Sequence, residues 1–418
     1  MAKREISNLD LKIKLTLECL NNGGYAKIPS IGLRQDLQEV KRGPDGKADP
    51  DTISTRVNAF MLAILADHTT PPFYHPEYIT EYISTLQKSL SFEQTNIDTV
   101  EQFDEVYDEF KAKTDMLFRG QREAKWRLYS NLQRNWMLKR MFEAENSYPE
   151  LLVNLVENGR AEYSDQIREL LSAHHIDSVN DISVLGYLQH HGCPTPLLDW
   201  TYRFQNALFF ALDGVTQNPG TIEIEDYLSV YYIDENHFRE SNMREFIVEG
   251  LKVIGEELKN KEIERIAKNK AKAAAMKKHF ADRNFFDLQR IAGSGLIAHM
   301  TRIKSLMGFP ISYFSDKDID SGILFSLNNS KNIQNQVGVF TWNADPSKPL
   351  EMVGDELYQE VKPEDVDNNY FFCSCFNIHK NLVNHVRSRL EADGITRDFI
   401  YPTPDINTWE VFEKSKRK

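Results

Sequence analysis

The stretch from Gly186 to Gly214, GYLQHHGCPTPLLDWTYRFQNALFFALDG, concentrates the residues that decide the fold. Apolar spacing over Asp181–Gln189 predicts a helix that delivers two histidines to its end. Two prolines then stiffen the chain before the apolar pair Leu197–Leu198, which predicts a buried strand. A second helix is predicted over Phe204–Leu212. Residues with polar side chains or restricted backbones therefore lie at both ends of one predicted strand, and this region is the first candidate for a functional site.

The junction after the predicted strand holds Asp199, Trp200 and Thr201. The simplest interpretation is that Asp199 or Thr201 caps the following helix. Free amides at such a junction also favour anions, so the same residues are candidate ligand-binding groups. His190 and His191 could donate hydrogen bonds to a ligand, or act as acid and base near neutral pH. The alternative is a buried histidine satisfied by Asp199 or by a backbone carbonyl.

A second informative stretch is Leu117–Gln121, LFRGQ, which predicts a strand ending in an arginine and a glycine. The sheet would position Arg119, whose planar guanidinium can hold an anion. Gly120 permits the backbone to approach a ligand closely. The alternative is that Arg119 bridges carboxylates inside the fold. Arg134, in a predicted helix that Ser130 or the next residue caps, is a second candidate inward-facing cation.

These motifs together resemble a known domain family. The similarity to the FRG domain, named for its Phe-Arg-Gly motif, is carried by LFRGQ, Trp126, Leu128–Arg134 (LYSNLQR), and LQHHGCPTPLLDWT followed by ALFFA. The resemblance covers Asp104 to Phe210 and returns weakly at Gln336–Phe340 and Tyr401–Asp405. Pro196 stands where the family usually has an arginine, so an anion contact by that arginine is not expected here.

The order of special residues is also similar, more distantly, to that of ADP-ribosyltransferases. In that comparison Arg119 matches the strand arginine that holds NAD, Thr201 the hydroxyl residue that follows, and Gln336 the late motif. Enzymes of that family release nicotinamide and stabilise an oxocarbenium-like ribose with a glutamate. Gln336 can supply the hydrogen bond but not the charge. Asp199 or a carboxylate from Glu351 to Glu360 could substitute.

The resemblances imply an NAD-dependent ADP-ribosyltransferase or NAD glycohydrolase, acting in prokaryotic antiphage defence or as a toxin. NAD would be its substrate, and a protein or nucleic acid its acceptor. The implied catalytic residues are Arg119, His191, Asp199, Thr201 and Gln336. The implied cofactor-binding residues are Phe118, Arg119, Gly120, Gln121, Arg134, His190 and Trp200. The alternative is a noncatalytic module that senses a nucleotide or binds a protein.

Composition narrows the class of protein. A chain of 418 residues, 41% hydrophobic and 27% charged, can bury a large core and form two or three units. The net charge of −12 argues against nonspecific nucleic-acid or membrane binding as the main task, although Lys268–Phe280 is basic. Four cysteines and no signal or membrane-length segment predict a cytoplasmic protein without a membrane partner. Cys373 and Cys375 are predicted to be buried, and no metal site is expected.

The predicted fold class is α+β, an FRG core with a mixed or antiparallel sheet flanked by helices. Residues 1–100 are predicted as a helical N-terminal unit, 101–235 and 316–418 as the two parts of the core, and 236–315 as a helical insertion. The N-terminal unit is either a packing collar or a surface for a partner protein or a second copy. Later extended segments are predicted at Ile323–Leu327, Gln336–Trp342, Tyr370–Phe376 and Phe399–Tyr401.

Overall fold

The computed structural model describes residues 80–416, with gaps at 83–84, 90, 144–146, 173–178, 216–219, 221, 236–259, 262, 283–296, 318–324, 326, 328, 330, 362–370 and 403–405. The predicted N-terminal unit therefore lies outside the described residues up to residue 79, as does much of the predicted insertion.

Seven strands form one sheet in this part of the chain: β1 Glu93–Ile97, β2 Met116–Gln121, β3 Leu197–Thr201, β4 Tyr227–Asp234, β5 Ile311–Phe314, β6 Gly338–Asn343 and β7 Ser374–His379. The α-helices are α1 Thr85–Lys88, α2 Val100–Phe110, α3 Asn131–Leu138, α4 Tyr148–Ser172, α5 Asp181–His190, α6 Phe204–Leu212, α7 Lys270–Asp282, α8 Ile303–Leu306, α9 Lys331–Gln336, α10 Leu350–Val361, α11 Val383–Ala392, α12 Arg397–Ile400 and α13 Trp409–Ser415. Short 3-10 turns occur at Met141–Glu143, Glu223–Asp226 and Lys380–Leu382.

The strand order is β1-β7-β4-β2-β3-β6-β5. The edge pair β1 and β7 is parallel, and every other neighbouring pair is antiparallel. The mixed sheet with flanking helices predicted from the sequence is therefore confirmed. The sheet includes β1 and β5, which fall inside the ranges predicted for the N-terminal unit and the insertion.

The sheet splits between β2 and β3. Strand β2 pairs with β4 along its whole length, from Met116 to Gln121. Strand β3 pairs with β6 along its whole length in the same way. Between β2 and β3, however, the register contains only the pair Phe118 and Thr201. Towards Gln121 on one strand and Leu197 on the other, the two central strands separate.

The two faces of the sheet differ in chemistry. Side chains alternate along a strand, so Phe118 and its cross-strand partner Thr201 share one face, which we call the Phe118 face. An aromatic cluster packs there, with ring centroids of Phe110, Phe204 and Phe376 within 4.8–6.1 Å of one another. Arg119 lies on the opposite face with its partner Tyr231, and we call this the Arg119 face.

Several local predictions are confirmed. Helix α6 has the predicted bounds, and α5 extends the predicted helix by one residue. Phe103, Tyr107 and Phe110 form the buried face of α2, as their spacing predicts. Ser130 caps α3 with a capping box, because its side chain accepts from the amide of Gln133 and the glutamine side chain accepts in return.

Other local predictions are wrong for identifiable reasons. Gln336 ends a helix rather than opening a strand, because Val337 has a φ of 49°, which no strand can accommodate. Residues 399–401 are not extended, since Thr396 caps the short helix α12. The strand predicted over Tyr370–Phe376 begins only at Ser374. Of residues 323–327, Phe325 and Leu327 are described and lie outside any strand, with their amides bonded to Asp316.

Substituting Gly120 with alanine is expected to destabilise the protein. A Cβ at Gly120 would lie 1.9 Å from the carbonyl oxygen of Ala207 and 2.6 Å from the amide nitrogen of Ala211, both in the backbone of α6. Rigid backbone cannot yield as a side chain can, so we expect a loss of about 2–3 kcal/mol, measured as a lower midpoint of unfolding. Gly394→Ala is the control, because Gly394 has φ +76° but open space, and should lose about 1 kcal/mol. Equal losses would contradict the close approach of α6.

Candidate anion-binding cleft between two strands

Arg119 bridges the split in the sheet. Its Nη1 donates a hydrogen bond of 2.7 Å to the main-chain carbonyl oxygen of Asp199, on the other side of the gap. The guanidinium thus replaces the backbone donor that β2 would have supplied in a complete ladder. The Nε of Arg119 has no hydrogen-bond partner and is not accessible to solvent. Burial lowers the pKa of Arg119, while Asp199 and Tyr231 partly oppose that shift.

Arg134 brings a second, half-buried guanidinium to the Arg119 face. It projects from α3, its centre lies 5.0 Å from the Trp126 ring centroid, and its Nη2 donates to the carbonyl of Arg127 at 3.1 Å. Its Nε also lacks a partner. Burial lowers the pKa of Arg134 to about 10, and repulsion from Arg119 adds to the shift. The two guanidinium groups are therefore electrostatic neighbours.

Nearby carboxylates attract the two arginines without pairing with them: Asp199 acts on Arg119, and Glu81 and Glu351 act on Arg134. Neither guanidinium forms a salt bridge in the described part of the chain, and their hydrogen bonds go to backbone carbonyls. The lowered pKa of Arg134 corresponds to a destabilisation of roughly 3 kcal/mol, at 1.36 kcal/mol for each pKa unit. An anion placed between the guanidinium groups would offset that destabilisation with charge-assisted hydrogen bonds.

Asp199 presents a held carboxylate with one free oxygen. Its Oδ2 accepts a hydrogen bond of 2.5 Å from the side-chain Nε2 of Gln189. The side-chain Oε1 of Gln189 in turn accepts from the hydroxyl of Thr195. The Oδ1 of Asp199 is buried and has no partner. Gln189 was not predicted as a site residue. Its only sequence signal is its place before His190 in the quoted motif, because the contacts that define its role are tertiary.

The two adjacent histidines have different surroundings. The His190 ring lies 5.5 Å from the ring of Phe340, and its Nε2 has no partner. Burial lowers the pKa of His190 to about 4, and the neighbouring His191 acts in the same direction, while Asp199 opposes them. His190 is therefore neutral at neutral pH. The ring of His191 instead packs 4.6 Å from that of Tyr187, on the core side of α5.

Thr201 and Gln336, both predicted as catalytic, are engaged with backbone. The Thr201 hydroxyl donates to the carbonyl of Gln336 and accepts from the amide of Arg203. The Gln336 amide donates to the carbonyl of Ile400 at 3.2 Å. The Thr201 hydroxyl and the Gln336 side-chain nitrogen are therefore bonded to the protein rather than presented to a ligand. The predicted capping of α6 by Asp199 or Thr201 is also wrong, since both residues belong to β3 and the N-cap, Arg203, makes no side-chain cap bond.

The remaining predicted site residues lie near the cleft with different accessibility. Phe118 is fully buried in the aromatic cluster on its face. Trp200 is buried on the Arg119 face, and its indole N–H donates to the Thr341 hydroxyl at 3.0 Å. Gly120 is backed by α6. Gln121 follows it on β2, with both amide atoms buried and unpartnered.

The late carboxylates were predicted as substitutes for the missing glutamate, and Glu351 is fully buried. Its two oxygens accept from the Tyr82 hydroxyl at 2.6 Å and the Leu128 amide at 3.2 Å. Burial raises the pKa of Glu351. Burial also raises the pKa of Asp355, to about 7, and this carboxylate accepts from the Phe372 amide. Both carboxylates therefore serve internal contacts.

Cys373 and Cys375 are buried free thiols, as predicted. Over the described ranges, the side chains contain no cluster of three or more His, Cys, Asp or Glu that could hold a metal ion. None of the helices described has the length and apolar character needed to cross a membrane.

Fold and site together define a mixed α/β domain with two neighbouring arginines at a split in its sheet. Residues 114–219 match the FRG domain family, so the chain contains an FRG domain, as its motifs predict. The match begins just before β2, ends beyond α6 and includes both sides of the split. Neither the curated proteins nor the solved structures searched give a match. The similarity to ADP-ribosyltransferases is not shown by these comparisons.

The lowered pKa of His190 predicts a pH dependence of stability. The folded pKa of about 4 lies below the unfolded value of about 6.5. Between these pH values His190 is protonated in the unfolded chain but not in the folded protein. The free energy of unfolding therefore falls as pH drops from 6.5 to 4, by up to about 3 kcal/mol. His190→Gln should remove this part of the acid sensitivity in unfolding experiments across that range. An unchanged pH profile would show that His190 protonates freely in the folded protein.

Proposed function

We propose that the protein binds NAD with its pyrophosphate in the cleft between β2 and β3, and cleaves the bond between nicotinamide and ribose. The protein would act as an ADP-ribosyltransferase or an NAD glycohydrolase. The observation that carries the proposal is the half-buried pair Arg119 and Arg134, each with a buried, unpartnered Nε and no salt bridge to a carboxylate among the described residues.

A pyrophosphate suits this pair better than a single carboxylate does. Arg119 is close enough to lower the pKa of Arg134 by repulsion, so one negative charge would compensate only one of the two guanidinium groups. A dinucleotide pyrophosphate carries two charges and several acceptor oxygens, which match the forked donors of arginine. Arg119 and Arg134 are therefore assigned to the two phosphate groups.

Asp199 supplies the charge that the cleavage step needs. When the glycosidic bond breaks, nicotinamide leaves with the bonding electron pair, and the ribose becomes an oxocarbenium-like cation that water or an acceptor nucleophile captures. The free Oδ1 of Asp199 lies on the Phe118 face, opposite Arg119, so the ribose would extend through the split to reach it. There this oxygen is suited to accept from a ribose hydroxyl and to stabilise the developing positive charge. His190, neutral at neutral pH, can exchange a hydrogen bond with the same ribose.

The acceptor is assigned to a protein or a nucleic acid by the resemblance to ADP-ribosyltransferases. Support for a role in prokaryotic antiphage defence, or as a toxin, comes from the FRG domain alone. A cytoplasmic location is consistent with an enzyme that uses NAD.

The second candidate function is a noncatalytic nucleotide sensor. It is favoured by Thr201 and Gln336, whose side chains are bonded to backbone carbonyls rather than presented to a ligand. Both candidates require the anion-binding cleft, but only the enzyme releases nicotinamide. Incubating the purified protein with NAD and measuring free nicotinamide by chromatography distinguishes them. Binding without release would leave the sensor as the function.

Removing either arginine should weaken nucleotide binding, and removing Arg134 should also strengthen the unliganded fold. We expect Arg119→Gln and Arg134→Gln each to lower the affinity for ADP-ribose by about 10- to 100-fold, the loss of a charge-assisted hydrogen bond. Arg134→Gln should also raise the unfolding midpoint without ligand, because it removes an uncompensated buried charge. Calorimetric titration and thermal unfolding measure the two effects. Arg168→Gln is the control, since Arg168 is exposed and pairs with Asp165. A loss of stability without a loss of affinity would make the arginines structural.

Replacing Asp199 should separate binding from catalysis. Asp199→Asn keeps the size of the side chain but removes its charge, so nicotinamide release should fall by about 100-fold or more. Affinity for ADP-ribose should change by less than about threefold, because the phosphates contact the arginines instead. Steady-state kinetics and titration of ADP-ribose measure the two quantities. Unchanged release would remove Asp199 from the mechanism.

A further inference from the structure

Gln121 is an amide without a partner. Its side chain is 4% exposed, and neither its oxygen nor its nitrogen has a hydrogen bond. Buried side-chain polar groups are nearly always bonded, because leaving them unpaired forfeits their hydration. An amide carries two donor hydrogens and two acceptor lone pairs, so Gln121 requires a partner that both donates and accepts.

The neighbouring polar groups on the sheet are already paired with one another. Ser229, the cross-strand partner of Gln121, bonds through its hydroxyl to Lys88 at 2.7 Å and to Asn377 at 2.8 Å. The amide nitrogen of Asn377 donates to two further side chains on β1. This network is closed without Gln121, so it supplies no partner for the amide.

Gln121 is also adjacent to the proposed phosphate site. It follows Arg119 by two residues on β2, so both side chains project to the Arg119 face, about 7 Å apart at the backbone. A nucleotide that places its pyrophosphate on Arg119 has a ring system within a few ångströms of its phosphates. The unpaired amide therefore lies where a base or a nicotinamide ring would arrive.

We propose that Gln121 is a specificity-determining residue that pairs, through both ends of its amide, with a donor–acceptor edge of the bound nucleotide. This inference rests on the proposed function and adds which group of the substrate the protein recognises. Two groups of NAD have such an edge: the carboxamide of nicotinamide and the amino-purine edge of adenine, which glutamine binds in bidentate fashion in other complexes. Both have the same recognition chemistry, and two analogues distinguish them.

The test compares the full-length protein with Gln121→Met, which keeps the length of the side chain and removes both polar ends. Affinities are measured by calorimetric titration for ADP-ribose, NAD, 3-acetylpyridine adenine dinucleotide and 1,N6-etheno-NAD. Where a dinucleotide is cleaved, kcat/KM replaces Kd. The acetylpyridine analogue has no carboxamide nitrogen, and the etheno analogue blocks the amino edge of adenine. We expect the wild type to prefer NAD over one of these analogues by about tenfold or more, and Gln121→Met to lose that preference.

A matched glutamine serves as the control. Gln133 is buried, but its amide donates to the carbonyls of Asp345 and Lys348, so Gln133→Met should lower stability and leave the preference for NAD unchanged. The inference is overturned if the wild type binds NAD and both analogues equally well, or if its preference survives Gln121→Met. In either case, binding of ADP-ribose would still support the proposed function. If the wild type binds none of the four nucleotides, the proposed function itself fails.

Discussion

The pairing of Phe118 with Thr201 is the single point at which β2 and β3 meet as neighbours in the sheet. Beyond that pair, β2 pairs only with β4 and β3 pairs only with β6. The facing edges of β2 and β3 therefore lack the backbone hydrogen bonds that neighbouring strands normally share. Buried backbone carbonyls must still be bonded, and the carbonyl of Asp199 is bonded by the guanidinium of Arg119. The split thus explains why an arginine lies inside a sheet, and the polar groups around it follow from that placement.

The second arginine cannot be explained by backbone satisfaction alone. Arg134 donates to one carbonyl and lies against Trp126, a contact that stabilises a cation by about 1–2 kcal/mol when partly desolvated. Its lowered pKa shows that these contacts do not compensate for burial and for repulsion by Arg119. Active sites often carry such destabilising groups, and removing them commonly trades activity for stability. If the proposed anion binds here, stability without ligand and affinity for that anion are opposed at this site.

The sequence reveals most of what depends on local patterns. The apolar periodicity of α5 and α6, the capping box at Ser130 and the strand LFRGQ can all be read from neighbouring residues. The split itself could not be predicted, because it depends on the register between strands that lie about 80 residues apart. The roles of Gln189 and Thr201 were missed for the same reason. Each is defined by a tertiary hydrogen bond, to Asp199 and to the carbonyl of Gln336 respectively.

Asp199 connects the two faces of the sheet. A strand residue directs its carbonyl along the sheet and its side chain away from it, so one residue can serve both directions. The carbonyl of Asp199 holds Arg119, whose side chain belongs to the Arg119 face. Its carboxylate belongs to the Phe118 face, where Gln189 fixes one oxygen and leaves the other free. The spacing between the proposed phosphate site and the proposed catalytic carboxylate is therefore set by the covalent geometry of a single residue in a paired strand. Such rigidity is what electrostatic stabilisation of a transition state demands, because a charge that must move into place stabilises less.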